Sequence, residues 1–258
     1  MLDQVKNIVA VASGKGGVGK STTAVNTALA LKLLGKSVGL LDADIYGPSI
    51  AMMLGVAEDH RPEVVNEKFF KPVMAHGIAT ISMAYLTTDK TPMVWRGPMA
   101  AGALQQLLQQ TDWGELDVLV VDMPPGTGDI QLTLAQKAQI SGAVIVTTPQ
   151  NIALLDAKKG IEMFVKVKIP VLGIVENMAT HICSNCGTEE SIFGQGGGEK
   201  VAEQYATQLL GSLPLDKAIR EQGDAGKPIS MTDIDPEISS RYVKIAENLL
   251  AQLEQSDS

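Results

Sequence analysis

The feature that most constrains the fold is the segment Gly14–Ser21, which reads GKGGVGKS and matches the pattern G-x-x-x-x-G-K-[ST]. It follows an apolar run at Ile8–Ala12 and leads into a helical pattern that begins at about Lys20. In this setting, glycines allow backbone N–H groups to surround phosphate oxygens, and the helix N-terminus adds positive potential. The motif therefore predicts a nucleotide-binding P-loop. The alternative interpretation is a glycine-rich strand-to-helix turn without a ligand.

Each part of this segment has an expected role at the nucleotide. The Lys20 ammonium is expected to reach the β- and γ-phosphates and to assist catalysis there, the Ser21 hydroxyl to bind Mg²⁺, and Thr22 to contact the α-phosphate. The residues of this segment predicted to bind ATP are Gly14, Lys15, Gly16, Gly17, Val18, Gly19, Lys20, Ser21 and Thr22.

Short apolar runs alternate with longer helical patterns along the chain. The predicted strands are Ile8–Ala12, Val38–Leu41, Ile78–Met83, Leu116–Val121, Ala143–Thr147 and Val171–Val175, with a further candidate at Leu209–Leu213. The predicted helices are Lys20–Leu34, Pro98–Gln110, Asp129–Gln139, Asn151–Val167, Gly198–Leu209 and Pro236–Leu253. Runs of Val, Ile and Leu with little polar alternation are typical of strands covered on both faces. The sequence thus predicts an α/β fold, a doubly wound, mostly parallel sheet with helices on both faces.

The chain has no internal repeat and no segment with the composition of a linker, so we expect residues 1–258 to form one P-loop NTPase domain. Two stretches lack a regular pattern, Tyr46–Pro72 and Ala179–Gly198. Long loops at strand ends often have functional roles in α/β domains.

The overall charge restricts the class of partner. The net charge is −8 with an isoelectric point near 4.9, which argues against a nucleic-acid-binding surface. No window approaches the length of uncharged apolar sequence that a membrane span needs, and the first residues lack the basic region of a signal peptide. We therefore expect a cytoplasmic protein that binds neither nucleic acid nor membrane.

Aspartates end two of the predicted strands. Asp122, in LVVDMPPGTGD, occupies the position of a carboxylate that holds Mg²⁺, usually through water. Asp42 and Asp44, in GLLDADIYGPS, follow the second strand and should lie beside the P-loop. Asp44 is predicted to orient the attacking water as a catalytic residue, and Asp42 to contribute to the Mg²⁺ site. The alternative for either residue is a turn or a helix N-cap.

Cys183 and Cys186 are the only cysteines, and they form a single C-x-x-C within the irregular stretch at about 179–198. A tetrahedral thiolate site needs four ligands, so this motif supplies half of one. In a cytosolic protein the motif indicates a metal or redox site rather than a structural disulfide. The alternatives are a redox pair, a site that adds His181 and another histidine, a structural Zn²⁺ site, or cysteines that bind nothing.

Together these motifs resemble the deviant Walker-A ATPases, the class that includes MinD, ParA and the nitrogenase iron protein. The distinguishing residue is the second lysine of the P-loop, Lys15. Within the class, the chain resembles the Mrp (ApbC) family of iron–sulfur cluster carriers over nearly its whole length. The matching segments, in order, are DADIYGPS, WRGPM (Trp95–Met99), DMPPGTGD, VENM and the C-x-x-C. The N-terminal domain or cysteine cluster of some members has no counterpart here, so we expect no function that depends on them.

The resemblance implies a homodimer with ATP between the subunits, in which Lys15 acts catalytically on the partner's nucleotide. It places Asn177 and Asp216 at the adenine. Cys183 and Cys186 of both subunits would then hold one bridging [4Fe–4S] cluster, with Zn²⁺ as the lesser possibility. The implied function is ATP-dependent transfer of a labile cluster from an assembly scaffold to apo iron–sulfur proteins. The alternatives are a positioning switch like MinD or ParA, and a reductase like the nitrogenase iron protein.

Overall fold

The computed structural model describes residues 2–57, 59–65, 68–85, 97–183 and 185–256. The strands are β1 Val5–Ala12, β2 Val38–Asp42, β3 Val64–Val65, β4 Phe69–Phe70, β5 Val73–Ala75, β6 Ile78–Ser82, β7 Leu116–Asp122, β8 Gly142–Thr147, β9 Val171–Glu176, β10 His181–Ile182, β11 Glu189–Glu190 and β12 Leu209–Ser212. The helices are α1 Lys20–Leu33, α2 Ile50–Met53, α3 Gly97–Gln110, α4 Asp129–Lys137, α5 Asn151–Lys166, α6 Gly197–Gln204, α7 Lys217–Asp224 and α8 Pro236–Ser256.

Eight of the strands form one sheet in the order β12-β9-β8-β1-β7-β2-β6-β5. Every neighbouring pair is parallel except β5–β6, which is antiparallel. The β3–β4 and β10–β11 pairs are separate antiparallel hairpins. The predicted mostly parallel sheet is therefore confirmed.

The sheet is covered on both faces. One buried apolar cluster packs the sheet against α3, α4, α5 and α6, and it includes Leu104, Leu134 and Phe164. The other packs the opposite face against α1 and α8, and it includes Leu29, Tyr242 and Leu249. Burial of branched side chains on both faces explains why the central strands read as continuous runs of Val, Ile and Leu.

The predicted strands agree with the structure to within three residues at each end, and most predicted helices to within three. The helix predicted at Gly198–Leu209 is wrong at its end, because α6 stops at Gln204 and Leu209 already begins β12. Trp95 and Arg96 lie outside the described residues. Among the helices described, none has the length and hydropathy needed to cross a membrane.

The candidate nucleotide site and the cysteine hairpin

The carboxyl ends of the parallel strands bring the predicted acidic residues into one row. Asp42 on β2 is paired in register with Asp122 on β7 and with Ser82 on β6. Asp122 is in turn paired with Val11 near the end of β1, directly before the P-loop. The sheet therefore places both predicted carboxylates beside the phosphate-binding segment, where ligands of open α/β sheets bind.

The backbone of the P-loop requires glycine at particular positions. Gly17 and Gly19 have φ values of 83° and 82°, in the left-handed region that side chains disfavour. A β-carbon at Gly14 would clash with the carbonyl oxygen of Asp156 on α5, at 2.0 Å. Only a shift of the backbone could relieve this clash. At Gly16 nothing lies within 4 Å of such a carbon. Gly14 thus allows the loop to approach α5, whereas Gly16 faces open space.

Lys20 and Asp122 form a buried ion pair at the base of the loop. The Lys20 ammonium lies 2.5 Å from Oδ1 of Asp122 and 3.0 Å from the Ser21 hydroxyl, and the two charged side chains are almost fully buried. Burial raises the pKa of Asp122, and the charge of Lys20 opposes that shift only in part. The other carboxylate oxygen, Oδ2, is buried without a hydrogen-bond partner among the described residues. A buried free oxygen beside a serine hydroxyl suits the Mg²⁺ that accompanies a nucleotide.

Asp42 is fully buried and accepts four hydrogen bonds. Its donors are the backbone N–H groups of Asp44, Ser49 and Ile50 and the hydroxyl of Ser82, at 3.0 to 3.2 Å. Burial, followed by repulsion from Asp122, raises the pKa of Asp42 to about 7. These contacts fix the turn between β2 and α2, and the Mg²⁺ role of Asp42 stays a prediction.

The turn that Asp42 fixes places Asp44 on the wall of a cavity that begins at the P-loop. Asp44 is half-buried, and its Oδ1 accepts a hydrogen bond from the Gly47 N–H at 3.2 Å. Lys15 is also half-buried, and its carbonyl accepts a hydrogen bond from the Ser13 hydroxyl at 2.8 Å. Lys15 is not among the described residues that line this cavity. The structure of one chain thus brings Asp44 to the site but not the Lys15 side chain.

A cavity of about 420 Å³ extends from the P-loop toward α7. One end is lined by the P-loop, Asp44 and Pro125, and the far end by Asn177, Asp216 and both turns of α7. The sequence analysis identified Asn177 and Asp216 but missed α2 and α7, which supply Met52, Met53 and Ile219 to the walls. The volume and the elongated arrangement suit a nucleotide.

Asn177 and Asp216 both help to build the far end of the cavity. The Asn177 side-chain N–H donates to the carbonyl of Val18 at 2.8 Å, so this residue joins the end of β9 to the P-loop. Oδ1 of Asp216 accepts from the Ala218 N–H at 2.6 Å and caps α7. Both residues line the cavity, and their predicted adenine contacts stay predictions.

The two cysteines lie on the tight turn of the β10–β11 hairpin. The backbone N–H of Cys183 donates to the Thr188 carbonyl, and the Gly187 N–H donates to the Cys183 carbonyl. Cys183 is half-buried and Cys186 is exposed, and both are free thiols. The Thr188 hydroxyl lies 3.2 Å from Sγ of Cys186 and, with the Thr188 backbone and Cys183, lowers the pKa of this thiol. A stabilised, accessible thiolate is a good metal ligand.

Among the described residues of one chain, no group of three or more His, Cys, Asp or Glu side chains is placed to hold a metal ion. The two cysteines of one chain therefore do not form a complete metal site with other side chains of that part of the chain. His181 directs its Nδ1 to the carbonyl of Leu215 at 3.2 Å, so this nitrogen donates a hydrogen bond to backbone. The structure therefore gives no support to a site within the chain that combines His181 with the cysteines.

The hairpin is bonded to the wall of the nucleotide cavity. The Ala179 N–H donates to the Leu213 carbonyl at 2.9 Å, and the Leu215 N–H donates to the Thr180 carbonyl at 2.7 Å. Together with the His181 contact, these bonds join the segment before the cysteines to Leu213–Leu215. Leu215 lines the cavity. At its other end the cysteine loop returns to the sheet, where Glu176 accepts from the Gly198 N–H at 2.6 Å.

The parallel sheet, the P-loop and the aspartates at the strand ends define a P-loop NTPase of the class that contains MinD and ParA. The protein-family model described as "ParA: NUBPL iron-transfer P-loop NTPase" matches residues 4–250. The chain therefore belongs to this family of iron-transfer P-loop NTPases.

Curated relatives agree with this assignment. The iron-sulfur cluster carrier protein of Pseudomonas fragi is 64% identical over 95% of this chain and 85% of its own length. The carrier protein of Escherichia coli K12 is 61% identical, with 98% of this chain and 68% of that protein covered. The mouse iron-sulfur cluster transfer protein NUBPL is 48% identical over 99% of this chain and 80% of its own length.

Solved structures show the same fold. A nucleotide-binding protein from Archaeoglobus fulgidus in complex with ADP has a TM-score of 0.80 and 37% identity, with 93% of each chain covered. The cell division ATPase MinD of Pyrococcus furiosus has a TM-score of 0.71 over 95% of this chain and 99% of its own. At 22% identity, the MinD comparison shows the fold alone.

Proposed function

We propose that this protein is an ATP-hydrolysing carrier of iron–sulfur clusters that acts as a homodimer in the cytoplasm. The dimer would bind one labile [4Fe–4S] cluster from an assembly scaffold and transfer it to apo iron–sulfur proteins. The observation that best supports this function is the pair of accessible thiols on a hairpin that is hydrogen-bonded to the nucleotide cavity. The names of the relatives as carrier and transfer proteins give independent support.

The number of thiols supports a shared cluster. A [4Fe–4S] cluster takes four thiolates, and each chain has two cysteines. A two-fold axis near the hairpin would bring Cys183 and Cys186 of both copies together, because an isologous interface uses the same surface twice. With only two ligands from each chain, and with Cys186 exposed, such a cluster would be open to exchange.

The nucleotide site supports hydrolysis by in-line attack of water. Ser21 and Asp122 would hold Mg²⁺, which when bound neutralises charge on the phosphates. Lys20 would leave its ion pair with Asp122 for the phosphate oxygens, and Asp44 would orient the attacking water. Lys15 would reach the nucleotide of the partner, which fits its absence from the cavity lining described within one chain. Asn177 and Asp216 would contact the base.

The hydrogen bonds between Ala179–His181 and Leu213–Leu215 supply a route for ATP to control the cluster. A nucleotide that presses on Leu215 moves the backbone to which the cysteine hairpin is bonded. Binding and hydrolysis would in this way change the separation of the two hairpins in the dimer and so control loading or release.

The test is anaerobic reconstitution with iron and sulfide, followed by the visible spectrum, iron content and mass of the product. We expect about four irons per dimer and a broad charge-transfer band, both lost in Cys183→Ala/Cys186→Ala. His60→Ala, at an exposed histidine outside the hairpin, is the control and should retain the cluster.

Two results would contradict the proposal. Tight Zn²⁺ in place of iron would make the hairpin a structural site. ATP-dependent binding to acidic vesicles or DNA that survives loss of both cysteines would indicate a positioning switch like MinD or ParA.

A further inference from the structure

A second cavity, of about 440 Å³, forms a groove between α4 and α5. Leu132 of α4 and Met163 of α5 form its apolar floor, and Lys158 and Lys166 lie along its α5 side. Thr127 closes the end nearest the nucleotide site. None of these residues belongs to the cysteine hairpin or to the nucleotide cavity.

The charge of this groove is opposite to that of the whole chain, whose net charge is −8. Within the described part of the chain, neither Lys158 nor Lys166 has an acidic partner within ion-pair distance, whereas their neighbour Lys159 pairs with Asp156 at 2.8 Å. The one acidic residue of the lining, Glu162, accepts a hydrogen bond from the Tyr205 hydroxyl at 3.0 Å. The tyrosine leaves the charge of Glu162 in place, but the three lysines of the lining outnumber it, so the groove has a net positive charge beside an apolar floor.

The spacing of the two lysines specifies the shape of an occupant. Eight residues along a helix correspond to about 12 Å. In an extended peptide, side chains at positions i and i+4 point to the same side about 13 Å apart, with the side chain of i+2 between them. Two acidic residues with that spacing would meet Lys158 and Lys166, and an apolar residue between them would contact Leu132 and Met163.

We propose that the α4–α5 groove is a docking site for an extended acidic segment of a partner protein, of the form acidic-x-apolar-x-acidic. A second copy of this chain is a poor occupant, because an isologous contact would bring lysines against lysines. A nucleic acid is also a poor occupant, because binding to its phosphates needs a longer row of cations on a less acidic protein.

The groove lies where it can respond to the nucleotide. The loop between β7 and α4 contributes Pro125 to the nucleotide cavity and, two residues later, Thr127 to the groove. The Gly126 N–H between them donates to the Ser13 carbonyl, next to the P-loop, at 2.9 Å. The docking proposal itself does not depend on the proposed function, because it rests on the charge and shape of the groove.

To test this, the protein is immobilised and used to select ligands from a displayed library of random short peptides. We expect enrichment of peptides with acidic residues at i and i+4 and an apolar residue at i+2. Fluorescence anisotropy of the enriched peptide should show affinity reduced about tenfold or more in Lys158→Glu/Lys166→Glu. The control Lys71→Glu/Lys244→Glu reverses two exposed lysines elsewhere and should change affinity by less than about twofold. Both variants should melt at the temperature of the unmodified protein.

Three outcomes would overturn the proposal. The first is failure to enrich any sequence, or enrichment of sequences without the acidic pair. The second is equal affinity of the enriched peptide for both charge-reversal variants. The third is binding of a short DNA duplex that displaces the peptide and is lost in Lys158→Glu/Lys166→Glu, which would make the surface a polyanion site.

Discussion

At the scale of single residues, the chemistry of the cysteine hairpin depends on a neighbour that the C-x-x-C motif does not include. Thr188 contacts Sγ of Cys186 through its hydroxyl and accepts the Cys183 N–H through its carbonyl. These contacts stabilise the Cys186 thiolate and lower its pKa below the ordinary value. Because the thiolate is the form that binds metal and reacts with electrophiles, Cys186 should be the more reactive cysteine at neutral pH.

The prediction concerns Thr188→Val in a Cys183→Ala background, which isolates Cys186. Loss of the hydroxyl removes the main cause of the lowered pKa, so the pH midpoint of alkylation should rise and the rate at neutral pH should fall. Iodoacetamide labelling followed by mass spectrometry measures both quantities. Thr188→Ser retains the hydroxyl and should behave like the parent, and an unchanged profile in Thr188→Val would show that this contact does not set the reactivity.

At the scale of elements, patterns of apolar residues predicted the central strands well because both faces of each are buried. Helix α7 contains no buried residue and only two apolar side chains, Ala218 and Ile219. It therefore has no apolar stripe that would identify it as a helix in the sequence. The hairpins β3–β4 and β10–β11 were missed because two-residue strands are too short for alternation to be visible. Of these unpredicted elements, α7 lines the far end of the cavity and the β10–β11 hairpin holds the cysteines.

The prediction at this scale is that His181 couples the hairpin to the nucleotide. We expect an ATP analogue with Mg²⁺ to slow alkylation of the cysteines about fivefold, because a filled cavity fixes Leu213–Leu215 and the hairpin bonded to it. His181→Ala should lose part of this protection, because the two backbone bonds to Leu213–Leu215 remain. It should retain nucleotide affinity, because its contact is to the Leu215 carbonyl rather than to the cavity.

His181→Asn is the matched control, because its amide N–H can replace Nδ1 as a donor to the Leu215 carbonyl. It should retain most of the protection. Equal protection in the parent and both variants would show that the coupling does not pass through His181.

At the scale of the whole molecule, the sequence predicted the parallel sheet and the place of the P-loop between β1 and α1, but not the strand order or the antiparallel β5 at the edge. Strand order depends on contacts between elements distant in sequence, which apolar patterns do not encode. The side chain of Lys15 shows a further limit, because it is not among the described residues that line the nucleotide cavity of its own chain. Its role can only be tested in an assembly of two chains.

The last prediction uses mixed dimers of Lys15→Gln and Asp44→Asn, each of which should hydrolyse ATP poorly by itself. If Lys15 acts on the nucleotide of the partner, a mixed dimer contains one site with both an intact Asp44 and an intact Lys15. Random mixing makes half of the dimers mixed with one competent site each, so activity should recover to about a quarter of the unmodified level. If Lys15 acts within its own chain, every site of the mixture lacks one of the two residues, and no recovery should occur. Steady-state phosphate release from the mixture distinguishes the two arrangements. Mixing two separately prepared samples of Lys15→Gln is the control for concentration effects, and it should restore nothing in either case.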